Sequence, residues 1–139
     1  MKLLILTPQL PYPPQQGTTI RNFNLIKHLA PRHEIALLSF GTPDELENAA
    51  PLRALCRRIE IAPYPTRSLT QRAWATLTSS LPDMALRLKS AEMHAKAKML
   101  LRDETFAVVQ IEGIEMARYG IQSTANRQQS IVVFDDHNA

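Results

Sequence analysis

The chain has 139 residues, 45% of them hydrophobic and 21% charged, and a formal net charge of +3. That is one domain's worth of chain, able to bury about two-thirds of its unfolded surface in a single core. Cys56 is the only cysteine, which excludes an internal disulfide and points to a reduced, cytoplasmic setting. No apolar stretch approaches the ~20 residues of a membrane span, and the early run LLIL is too short for a signal peptide.

The first thirty residues organise the rest. Leu3, Leu4, Ile5 and Leu6 are continuously apolar, the pattern of a central parallel strand covered on both faces. Pro8, Pro11, Pro13 and Pro14 then forbid both helix and ladder pairing, which predicts a stiff, extended loop over residues 8–16. Gly17 is the first residue free to take positive φ, and Thr18 or Thr19 is placed to cap a helix running from about Thr19 to Ala30. A helix start carries unpaired N–H groups and roughly half a positive charge, so a ligand phosphate fits there. The loop of about eleven residues is long against the usual βα connection of about 2–6, and long loops in compact domains are commonly functional. An ordinary strand-to-helix connection stiffened by prolines is the alternative.

Further on, His33–Phe40 reads as a second strand, and Thr42-Pro43-Asp44-Glu45 opens a helix expected to span Pro43–Cys56. Arg58–Ala62 alternates and is short, as a third strand near a sheet edge would. Residues 68–81 and 83–103 are read as helices separated by Pro82, the second with Leu86, Met93, Ala97, Leu100 and Leu101 at helical spacing. Phe106–Ile111 is a fourth strand, Ile114–Tyr119 a short helix, and Ser130–Phe134 a fifth, buried strand. Strands alternating with helices predict a doubly wound parallel sheet, Rossmann-like and three-layered, in one α/β domain with strand order 3-2-1-4-5. Three polar loops then gather at one rim: Pro8–Thr19, Glu112–Gly113 and Asp135–Asn138.

Charge is uneven. Residues 53–102 hold ten Lys and Arg against Glu60, Asp83 and Glu92, a local charge of +7, and the remaining six bases and ten acids give −4. Such a flank fits peripheral contact with an anionic membrane, or a solvated helical face. No aromatic signature interleaves with it, so nucleic acid is not expected.

Several chemistries are disfavoured. Gly17 stands alone where a dinucleotide site wants GxGxxG, no GxxxxGK[ST] occurs, and His28, His33, His94 and His137 lack metal-ligand spacing. No nucleophile elbow is visible. A receiver domain would need acids at the end of the first strand, where Thr7, Pro8 and Gln9 stand.

The pattern LILTPQLPYPPQQGTTIRNFNLIKHLA followed by HEIALLSF, continued through VVQIEGIEMARY and VVFDDHNA, resembles the amino-terminal domain of family 4 glycosyltransferases, the retaining GT-B enzymes. The resemblance implies an acceptor-binding half of an enzyme that moves a sugar from a nucleotide-sugar donor to a glycan or lipid-linked acceptor. It calls for no cofactor beyond that donor as substrate. By position it places Gly17 against the donor diphosphate with Thr18 and Arg21 nearby, Glu112 facing the acceptor, and His137 near the transferred sugar as the catalytic residue. The family often has a glycine pair in the first loop, whereas Thr18 follows Gly17 here. Alternatives stay open: Arg21 as a solvated helix charge, Glu112 as a loop carboxylate, Asp135 and Asp136 as a turn. The resemblance also implies a further, donor-binding domain, making this chain an amino-terminal fragment that is inactive alone. The other reading is a non-catalytic α/β binding or partner-docking module.

Overall fold

The opening apolar run forms β1 (Lys2–Thr7), and Leu4, Ile5 and Leu6 are wholly buried in the middle of the sheet. This is a computed structural model, and it describes residues 1–66, 88–120 and 130–136. After β1 come α1 (Gly17–Leu29), β2 (Glu34–Phe40), α2 (Pro43–Glu47), α3 (Ala50–Leu55) and β3 (Arg58–Ala62). The chain resumes with α4 (Ala91–Asp103), β4 (Val108–Glu112), a 3-10 turn (Ile114–Met116), α5 (Ala117–Gly120) and β5 (Ile131–Asp135). All four strand pairings are parallel and the order is β3-β2-β1-β4-β5, the doubly wound arrangement expected from the alternation of elements.

Side-chain alternation divides the core in two. Ile5, Ile35 and Leu37 pack with Ile26 of α1 and Leu52 of α3 on one face. Leu4, Leu6, Leu38, Val109 and Ile111 pack with Met93, Ala97, Leu100 and Leu101 of α4 on the other. A strand with helices on both faces must be apolar at every position, which is why β1 shows no alternation. Burying each of its leucines contributes about 1.5–3 kcal/mol.

Several element boundaries differ from expectation, each for a local reason. The helix expected over Pro43–Cys56 is two helices, broken at Asn48-Ala49. Pro51 has no N–H to return to Glu47, and its ring would crowd that carbonyl in a continuous helix; Arg53 donates to the Glu47 carbonyl instead, at 2.9 Å. Of the helix expected over 83–103, residues 83–87 lie outside the described residues; α4 starts at Ala91, where the Ser90 hydroxyl accepts the Met93 N–H at 3.2 Å and caps it. β5 was expected to be buried. It is a sheet edge, with Ile131 66% and Phe134 49% exposed, because β4 is its only neighbour in the described sheet. The helix expected over 68–81 lies outside the described residues.

Two packing details carry predictions. A Cβ on Gly120 would stand 2.2 Å from Cδ1 and 2.4 Å from Cγ1 of Ile111, which is itself wholly buried. Gly120→Ala is therefore expected to cost about 1–3 kcal/mol by overpacking, read as a lower urea midpoint at unchanged slope; an unchanged midpoint would refute this packing. Cys56 is buried, and desolvation pushes its thiol up to about 12. At pH 8 it should react with a disulfide reagent about a thousandfold more slowly than an exposed cysteine, and at the ordinary rate once urea unfolds the chain.

Candidate functional site

In a parallel sheet the loops that lead into the next helix all leave from the carboxyl ends of the strands. The register fixes what meets there. Thr7 pairs with Ser39, Leu6 with Ile111, and Glu112 with Asp135, so one further step along β4 carries Glu112 beside Thr7. Ile5 pairs with Gln110 and lies on the α1 face, and alternation puts Thr7, Ser39, Glu112 and Asp135 on that same face. The Thr7 hydroxyl donates to Ser39 Oγ at 2.9 Å, and the Gln110 amide donates to Glu112 Oε1 at 2.7 Å.

Helix α1 covers this polar floor. Its buried stripe is Thr19, Asn22 and Ile26. Thr19 secures the helix start: Oγ1 accepts the Gln16 N–H at 3.0 Å and donates to the Gln16 carbonyl at 2.9 Å. The helix therefore begins at Gly17, two residues before the expected start, with Gln16 rather than Thr18 or Thr19 at the cap. No acid occupies its first turn, which leaves the positive end of the helix unopposed by its own residues.

Asn22 is the feature the sequence reading missed. Its side chain is 1% exposed, and neither Nδ2 nor Oδ1 has a hydrogen-bond partner among the described residues. A buried amide left so costs about 1–3 kcal/mol, and such groups in native proteins ask for a reason. Of the six buried polar residues described, Thr7, Thr19, Asn22, Ser39 and Glu112 all belong to α1 or to the rim beneath it; the sixth, Glu115, lies in the turn after β4. Thr7 and Ser39, polar residues at or next to the ends of apolar strands, were a legible signal for this cluster. So was Asn22, which falls at i+3 from Thr19 and i−4 from Ile26.

The residues expected at the site are disposed as follows. Gly17 is exposed and helical, and a Cβ built on it would meet nothing within 4 Å. The freedom to take positive φ that was expected of Gly17 is used elsewhere: among the described residues Gly113, at φ 86°, is the glycine that needs it. Thr18 is half-buried beside Gly17. Arg21 reaches from α1 to Asp135 at the end of β5 in an ion pair, so it is not a bare helix charge. Glu112 is the last residue of β4 rather than a loop residue, and it is wholly buried. Gly113 N–H donates to the Asp135 carbonyl at 2.8 Å, joining the second loop to the third. The three polar loops thus converge as expected in their described parts; His137 lies outside the described residues.

Among the described residues no group of three His, Cys, Asp or Glu side chains could hold a metal ion. No helix among them is long and apolar enough to cross a membrane. In the basic stretch, Arg57 pairs with Glu34, Arg58 with Glu60 and Glu104, Lys96 with Glu60 and Glu92, and Arg102 with Asp103. Much of its described charge is therefore balanced within the fold.

No protein-family model matches the chain, and no curated protein does. Among solved structures the chain is similar to the carboxyl-terminal domain (residues 83–215) of a hydrogenase from Pyrococcus furiosus, at 14% identity and a TM-score of 0.61 over 96% of this chain and 90% of that one. At that identity the likeness shows a shared α/β fold and nothing of the chemistry.

Proposed function

We propose that the chain is the acceptor-binding half of a retaining GT-B glycosyltransferase, working in the cytoplasm on a nucleotide-sugar donor and a glycan or lipid-linked acceptor. The observation that carries this reading is the acid-free start of α1, with Gly17 and Thr18 at the rim above a buried polar floor. The resemblance of the opening sequence says which anion belongs there. In this reading the donor diphosphate lies against Gly17 and Thr18, and the helix N-terminus stabilises the negative charge that grows as the sugar–phosphate bond breaks and the nucleoside diphosphate keeps the electron pair. Arg21, held by Asp135, orients the rim. Glu112 anchors the acceptor side from within β4, and His137 acts beside the transferred sugar. A second domain supplies most nucleotide contacts, and no metal is required. Any peripheral membrane contact through residues 53–102 draws on bases outside the ion pairs above.

The test is to offer the full-length natural protein a panel of nucleotide sugars and follow release of nucleoside diphosphate with and without acceptor glycans. Acceptor-dependent release from one donor is the expected result. Failure with every donor, together with no binding of any nucleotide sugar, would leave the non-catalytic binding module as the reading.

A further inference from the structure

An opening lies at the same rim, beside the start of α1. It is a cleft of about 160 Å³ between the Pro-rich loop and the chain that follows β2 and β3. Its walls carry the side chains of Gln9, Tyr12, Gln15, Gln16, Glu45 and Tyr64, with no lysine, arginine or histidine among them. Gln16 and Thr19 line it as well as securing the start of α1, so an occupant of the cleft would lie directly beside Gly17.

The lining chemistry is selective. An anion is disfavoured, because no cation among the described residues faces the cleft and Glu45 presents a carboxylate. A lipid tail is disfavoured by the amides. Three glutamines supply paired donors and acceptors, and a carboxylate accepts only, so the set matches groups that both donate and accept: hydroxyls. Tyr64 adds a flat surface. Its ring stacks on Phe40 at 6.0 Å with 22° between planes, is 40% exposed, and carries partial negative charge on its face, which attracts the C–H face of a saturated ring. Burial, and then the charge of Glu45, raises the Tyr64 pKa, so the phenol stays a donor.

We propose that this cleft binds an uncharged sugar ring, stacked on Tyr64 and held through its hydroxyls by Gln9, Gln15 and Glu45. It rests on the transferase reading for its role, since a ring held there is the acceptor sugar and the acceptor is then a neutral glycan. The binding chemistry stands by itself.

The experiment is amide chemical-shift mapping of this chain with D-glucose, D-galactose, D-mannose and N-acetyl-D-glucosamine, each alone, and with sodium phosphate as the anionic control. One sugar should shift the amides of Gln9, Gln15 and Glu45 with a Kd on the order of 1–10 mM. Tyr64→Ala and, separately, Gln15→Ala should each weaken it at least fivefold; Gln15 is exposed and outside the core, so that variant tests the cleft even if Tyr64→Ala unfolds. No shift with any sugar, equal shifts in the variants, or a phosphate response at these amides would each overturn the proposal. Sugar binding without nucleotide-sugar turnover in the full-length protein would uphold the cleft and reject the transferase; turnover with unchanged acceptor KM in Gln15→Ala would do the reverse.

Discussion

On the proposed transferase reading, replacing Gly17 by valine should leave the domain as stable as before and cut sugar transfer by the full-length protein at least about a hundredfold, equivalent to about 2.7 kcal/mol of transition-state stabilisation. The two halves of that expectation have separate causes. In the free domain the added Cβ meets nothing within 4 Å, and the glycine is helical, so no left-handed backbone is strained. Glycine itself is a poor helix residue, which makes the exchange neutral or slightly stabilising. A diphosphate seated on the Gly17 and Thr18 N–H groups, by contrast, would be pushed off the helix end by two methyl groups. A small displacement there loses both the hydrogen bonds and the alignment with the helix. Equal urea midpoints with lost turnover would bear out the assignment, whereas wild-type turnover would reject it.

Asn22→Leu should act in the opposite sense on stability. The side chains are similar in size, and the native amide is buried with no hydrogen-bond partner among the described residues. Removing that cost should raise stability by about 1–2 kcal/mol, a rise of a few degrees in Tm. If the transferase reading holds and the amide's hydrogen bonds are made to the bound ligand, turnover should fall at the same time. A destabilised variant would mean that the amide is satisfied in solution by water and serves the fold. A stabilised variant with full activity would detach Asn22 from the site.

Much of the fold was legible because its signals are local. A covered parallel strand must be apolar throughout, as LLIL is; proline breaks helices wherever it falls; and alternating strand and helix patterns force right-handed crossovers and hence the strand order. The misplacements came from competition between local signals. Apolar spacing ran through Pro51 and Ser90, whereas proline's missing N–H and the serine cap decided where the helices end and begin. β5 looked buried because Ile131, Val132 and Val133 are what any inner strand contains, although the expected order 3-2-1-4-5 already put it at the edge where the structure has it.

The residues of the site divide in the same way. The sequence by itself determined that a helix follows the Pro-rich loop, though the structure starts it at Gly17 rather than Thr19, and that three loops converge, since a parallel sheet sends every such loop to one rim. Only the tertiary structure decided that Arg21 meets Asp135 across 114 residues, that Glu112 is buried within β4, and that Asn22 on the buried face of α1 has no partner among the described residues. Those facts depend on how far α1 is rotated over the sheet and on strand register. Both are set by many weak packing contacts summed over the core, and no short stretch of sequence encodes that sum.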